Sequence, residues 1–156
     1  FIRSHQVIEI LSGLLTPVIA IIATYIAYQQ WKLNKQKLML EKYDRRLKIY
    51  EEVKKVLILI TRDAEISHKN LLEFNISVSE ADFLFRHEIS DYLQEIYKRG
   101  LNLHRWNRKY KDNTQIKPEG YNHDEVVDGM DFELTWLTEQ FNPAKEKFKK
   151  YLDISK

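Results

Sequence analysis

Cysteine is absent from this chain, which removes disulfides, thiolate metal sites and a cysteine nucleophile from consideration. Glycine occurs four times and proline three times in 156 residues. Such scarcity excludes a turn-rich sheet protein and, with Leu, Ile, Lys, Glu and Tyr abundant, favours long helices. A strong net charge is also missing. The 25 basic and 23 acidic residues are mostly interspersed, so the chain as a whole is no polybasic nucleic-acid binder. There is no internal repeat, low-complexity tract, Gly-rich phosphate loop or metal-ligand spacing among the five histidines, and no motif calls for a cofactor or metal. The length admits one modest soluble domain beside an anchor.

What is present begins with an uncharged run of 22 residues, ILSGLLTPVIAIIATYIAYQQW, at residues 10–31. As a helix it is long enough to cross a hydrocarbon core of about 30 Å. It is longer than the apolar core of a signal peptide and ends in Tyr25, Tyr28 and Trp31, rings that suit a membrane interface. Residues 7–31 are therefore predicted as a transmembrane helix. Lys32, Lys35, Lys37, Lys42, Arg45, Arg46 and Lys48 follow it, against Arg3 and His5 on the other flank. That asymmetry predicts a single-pass membrane protein with residues 32–156 in the cytoplasm.

Within the span, Gly13, Thr16, Ala20, Ala23 and Ala27 recur at steps of three and four, a stripe of small side chains along one face. Small side chains let helix backbones approach closely in lipid, and a single-pass chain can use them only between copies. A homo-oligomer is expected. One turn outward the stripe reaches Glu9, which would face either a bundle lumen or the headgroup region. Pro17 removes one backbone hydrogen bond and favours a kink that neighbouring copies can accommodate.

Beyond the interface the helical period persists through Leu33, Leu40, Tyr43, Leu47, Tyr50, Val53, Leu57 and Ile60. The basic flank beside the bilayer is a solvated helix face or a grip on anionic lipid. Residues 75–79 interrupt the pattern, and Ser77 with Glu80 reads as a capping box opening a short helix that holds Phe83, Leu84 and Phe85. A longer helix is expected over residues 89–111, then an exposed loop over 112–122 carrying Pro118 and Gly120. Val126, Met130, Leu134, Leu137 and Phe141 mark a further helix, ended by Asn142 before Pro143. A last short helix holds Phe148, Tyr151 and Leu152. The chain is expected to be all-α, one transmembrane helix followed by a cytoplasmic helical bundle.

Chemistry has one foothold, an Arg followed by a His four to six residues later, which would bring a guanidinium beside an imidazole. The spacing occurs at Arg99 with His104 and at Arg62 with His68. Two such pairs meeting across a dimer would supply a base, an acid and a stabiliser of phosphorane charge for RNA cleavage. Gly100, directly after Arg99, departs from the usual polar residue of that nuclease pattern.

The segments LTPVIAIIATYIAYQQWKLNKQKL, YDRRLKIYEEV, FLFRHEISDYLQEIYKRGLNLH and LTWLTEQFNPAKEKFKKYL carry a resemblance over nearly the whole chain. The sequence resembles a widespread group of small bacterial membrane proteins, and within it the HEPN-like accessory proteins of type VI-B CRISPR systems. The resemblance implies a HEPN-like bundle on an oligomeric membrane pore that depolarises the cell in antiphage defence, functionally linked to an RNA-guided RNase. By the same resemblance Arg99 and His104 are a relic that serves assembly or gating and does not cleave RNA. The alternatives are a membrane-tethered HEPN-type RNase, which would contact nucleic acid directly, and a tethered adaptor without activity of its own.

Overall fold

In the computed structural model, residues 2–153 are described, and every regular element among them is an α-helix. The chain divides into two compact units, Phe1–Glu41 and Lys42–Lys156. Helix α1, Ile2–Asp63, contributes to both and runs without interruption past residue 32, where the sequence sets the start of the second domain.

The first unit is helix alone. Its large apolar side chains, from Ile8 and Leu11 through Ile26 to Leu40, are exposed, and none of its most apolar 18-residue stretch is buried. The helix is long and apolar enough to cross a membrane. Pro17 is carried inside it. A proline has no N–H to offer the carbonyl four residues back, which here belongs to Gly13.

The second unit is a helical bundle. On α1, Ile49, Val53, Val56, Leu57 and Ile60 are buried, the three-and-four spacing of a single face. The helix stops at Ala64, which takes a left-handed φ of 55° while its N–H still donates to the Ile60 carbonyl at 2.8 Å. Ile66 then tucks into the core, and the Ser67 hydroxyl caps α2, His68–Ser77, by accepting from the Asn70 N–H at 3.1 Å. The capping box expected at Ser77 and Glu80 is therefore not formed. Ser77 is the last residue of α2, and Glu80 precedes α3, Ala81–Leu84, without a side-chain cap. Burial of Leu71 and Phe74 keeps the chain helical to that point.

Helix α4, His87–Lys109, has α2, α3 and α5 packed against it. Its buried face is Ile89, Tyr92, Leu93, Ile96, Gly100 and Leu103. Gly100 has a packing reason: a Cβ there would lie 2.4 Å from Leu71 Cδ2, so the glycine lets α2 close on α4. Residues 110–122 are irregular, with Gly120 at φ 78°. Asn122 then caps α5, His123–Thr138, by accepting from the Glu125 N–H at 3.2 Å. The end expected at Asn142 is corrected, since α5 stops at Thr138 and Pro143 lies in the first turn of α6, Phe141–Leu152. Backbone N–H groups in a first turn have no intrahelical acceptor, so proline is tolerated there.

Helix α6 closes the core through Ala144 and Phe148. Phe148 meets Tyr50 and Phe85 with ring centroids 5.2 Å away in each case. Arg46 ties the same end together: it donates to the Leu84 carbonyl at 2.9 Å and the Tyr151 carbonyl at 3.3 Å, while its guanidinium lies over both the Phe85 and Tyr151 rings. Lys150 and the Tyr151 hydroxyl engage Glu88, and together they hold its carboxyl below the usual carboxylate range.

Candidate functional site

Two groups of residues are candidates, one on each compact unit. On the first, Glu9, Gly13, Thr16, Ala20, Ala23 and Ala27 lie along a single side of α1, as the helical repeat of 3.6 residues requires, and all are exposed. The opposite side carries Leu11, Leu14, Leu15, Val18, Ile22 and Ile26, likewise exposed. Nothing lies within 4 Å of where a Cβ on Gly13 would be. The polar groups that flank the stripe are satisfied within the helix, Ser12 donating to the Glu9 carbonyl at 2.9 Å and Thr24 to the Ala20 carbonyl at 2.8 Å. A hydroxyl bonded in this way can enter an apolar medium without an orphan donor.

The expected interface rings form a local cluster. Gln29 donates to the Tyr25 hydroxyl at 3.1 Å, Tyr28 and Trp31 sit with centroids 6.0 Å apart, and the Lys35 ammonium lies 5.3 Å from the Trp31 ring. Tyr25 and Trp31 thus each have a polar or cationic group beside an exposed apolar body.

On the second unit, α4 presents Arg99 and His104 to different neighbours. Five residues on a helix amount to a rotation of about 140° around its axis, net of whole turns. Arg99 turns toward α5. Its Nε donates to Glu95 Oε1 at 2.8 Å and its Nη1 to Glu133 Oε2 at 3.4 Å, and its guanidinium lies 4.6 Å from the Trp136 ring and 5.3 Å from Phe132. Glu133, whose side chain is only 8% exposed, also accepts from Asn102 at 3.3 Å. His104 turns toward the α1–α2 connection, with Nδ1 2.9 Å from the Ile66 carbonyl. A carbonyl only accepts, so Nδ1 carries the proton in this contact.

The second pair is likewise separated. Arg62 is bonded twice to its neighbour Asp63 at 2.8 Å, an exposed pairing that raises the guanidinium pKa and lowers that of the carboxyl. The His68 ring instead lies 6.0 Å from that of His104, so the two histidines are neighbours. Among the described residues no group of three or more His, Asp or Glu gathers where it could hold a metal ion.

Sequence reasoning missed the surroundings of Arg99. A cleft of about 460 Å³ is lined by Arg99, Asp128, Asp131, Phe132, Thr135, Trp136 and Glu139. One signal was legible, the i, i+4 spacing of Glu95 and Arg99. The other, that α5 carries five carboxylates and no Lys or Arg, was hidden in an overall composition that looks balanced. No family model, curated protein or solved structure matches the chain.

Proposed function

We infer that the chain is a single-pass membrane protein whose copies assemble through the small-residue face of α1, the assembled spans lining a pore and residues 32–156 lying in the cytoplasm. The observation that carries this is the division of residues 9–27 into a small and polar side and a large apolar side, on a helix with none of its apolar stretch buried. Between helices in lipid there is little hydrophobic drive, so close approach along Gly13, Ala20, Ala23 and Ala27 supplies the packing. Glu9 and Thr16 share that side, and in a ring they face the lumen and not lipid. Lys32, Lys35 and Lys37 against Arg3 give the orientation. The resemblance to type VI-B CRISPR accessory proteins extends the proposal to depolarisation in antiphage defence beside an RNA-guided RNase, and to a HEPN-like origin for the bundle.

RNA cleavage by Arg99 and His104 is the weaker reading, because each is committed within its own chain to a different partner. The test is the mass of the detergent-solubilised particle together with ion leak from vesicles. A particle of many subunits and a leak, both lost in the Ala20→Leu/Ala23→Leu variant, is the expected result. A dimer would return the composite RNase site, a monomer without leak would leave a tethered adaptor, and unchanged assembly of the variant would remove the packing face.

A further inference from the structure

A second cavity, of about 420 Å³, lies between the last turn of α4, the 110–122 loop and the start of α5. Its volume falls in the range of small-ligand pockets. Arg108 and Lys109 close α4, Lys111 follows, and all three line the cavity with Trp106 and Tyr121. Both rings are held on fixed supports. A Cβ at Gly129 would come within 2.3 to 2.7 Å of three indole atoms of Trp106, so only glycine lets that indole lie against α5. The Lys109 ammonium lies 4.9 Å from the same ring. The Tyr121 hydroxyl accepts from the Lys111 N–H at 3.0 Å, and the Lys117 ammonium lies 5.8 Å from the Tyr121 ring. The loop that delivers Tyr121 is itself pinned, since the Thr114 hydroxyl and N–H donate to Asp112 at 2.6 and 2.8 Å and hold that carboxyl below its usual range.

Two supported aromatic rings lining one cavity with Arg108, Lys109 and Lys111 are the chemistry that recognises a flat base joined to an anion. The cavity also contains Glu119 and Glu125. Three cations against two carboxylates suit one phosphate group and disfavour a run of them, and the carboxylates can accept hydrogen bonds from the amino edge of a base. We propose that the pocket formed by Trp106, Arg108, Lys109, Lys111 and Tyr121 binds a nucleoside monophosphate unit with an amino-bearing base, as a free nucleotide or at the end of a single-stranded RNA. The site is separate from Arg99 and His104, and it does not depend on the pore.

The experiment is a titration of the full chain in detergent with AMP, inorganic phosphate and a short single-stranded RNA, read by tryptophan fluorescence and by calorimetry. AMP saturates at micromolar to millimolar concentration and quenches fluorescence, and inorganic phosphate competes far less well. The Lys109→Ala/Lys111→Ala variant, which changes no buried side chain, binds at least tenfold more weakly. Trp106→Phe, which keeps an aromatic platform, retains calorimetric binding and loses the quench. RNA that binds more tightly than AMP with the same sensitivity to the double variant identifies an RNA end, while AMP binding at least as tightly identifies the free nucleotide. The proposal is overturned if AMP fails to saturate, if phosphate competes equally, if the quench survives in Trp106→Phe, or if the double variant binds normally.

Discussion

Replacing Arg99 by methionine tests whether that guanidinium is a structural lock between α4 and α5. The variant strands Glu133, whose side chain is 8% exposed and would retain only the long 3.3 Å bond from Asn102. Breaking a fully buried ion pair costs about 3–5 kcal/mol. Here Arg99 is 20% exposed and its bond to Glu133 is long at 3.4 Å, so solvent screening brings the ionic part to roughly 1.5–2 kcal/mol. Loss of the guanidinium over Trp136 and Phe132 adds about 0.5–1 kcal/mol, since methionine keeps part of the apolar contact. The sum is about 2–3 kcal/mol, a downward shift of roughly 1–2 M in the urea midpoint of a domain this size. The assay is urea unfolding of the full chain in detergent, followed by helix ellipticity and by the fluorescence of Trp136. Arg99→Lys retains the charge without the fork that reaches both Glu95 and Glu133, and falls between wild type and methionine. The double variant Arg99→Met/Glu133→Met returns to within about 1 kcal/mol of wild type, because no buried charge is left alone. A midpoint unchanged in Arg99→Met, or a double variant no better than the single, would refute the lock and free Arg99 for a chemical role.

Three further outcomes follow from the bundle. Tyr92 donates to Gln140 Oε1 at 2.9 Å in a buried site, and burial raises its pKa, with Tyr50 adding to the shift. A raised phenol pKa means the unfolded chain deprotonates first, so stability is intact below about pH 10 and falls as pH rises beyond it. Tyr92→Phe costs about 1 kcal/mol at neutral pH and flattens that alkaline decline in denaturation curves. Glu88 has the opposite sign: its lowered pKa favours the folded state above the ordinary carboxylate range, and the advantage disappears as pH falls through the folded value. Unfolding curves of wild type and Glu88→Gln should therefore differ at pH 7 and converge as the pH falls through the folded-state value. Ala64 holds a left-handed φ of 55° that an L side chain resists, so Ala64→Gly should gain up to about 1 kcal/mol despite the freer unfolded chain, raising the thermal midpoint.

Where a single helix face repeats, the sequence was a good guide. The apolar run of α1 and the loop around Pro118 and Gly120 both follow from period and punctuation. The end of α1 was not legible, because the stretch TRDAEISH contains neither Gly nor Pro. The stop is made by Ala64 in a costly conformation and by Ser67 three residues before the N–H it caps, a signal that competes with Ser77 and Glu80 ten and thirteen residues downstream. Likewise Pro143 marks an end only if its N–H would have been used, and in the first turn of α6 it would not. The partners of Arg99 were illegible for another reason: Glu133 lies 34 residues away, and local spacing carries nothing about which carboxylate the fold will bring to it.

Arg46 shows how a residue counted for one purpose can be spent on another. It belongs by position to the basic flank used to orient the chain, yet in the bundle it bonds two carbonyls and covers two rings, joining α1 to α3 and α6. If packing alone explained the basic flank, the topological argument would fail with it. It does not, because the rule depends on charges within about 15–20 residues of the span. Lys32, Lys35 and Lys37 precede the second unit altogether, and against Arg3 they preserve the asymmetry after Arg46 is discounted. The proposed orientation therefore rests on the lysines nearest the apolar run together with Lys42, Arg45 and Lys48. Exchanging Lys32, Lys35 and Lys37 for glutamine should weaken the topological preference, whereas Arg46→Gln should loosen the bundle and leave topology intact.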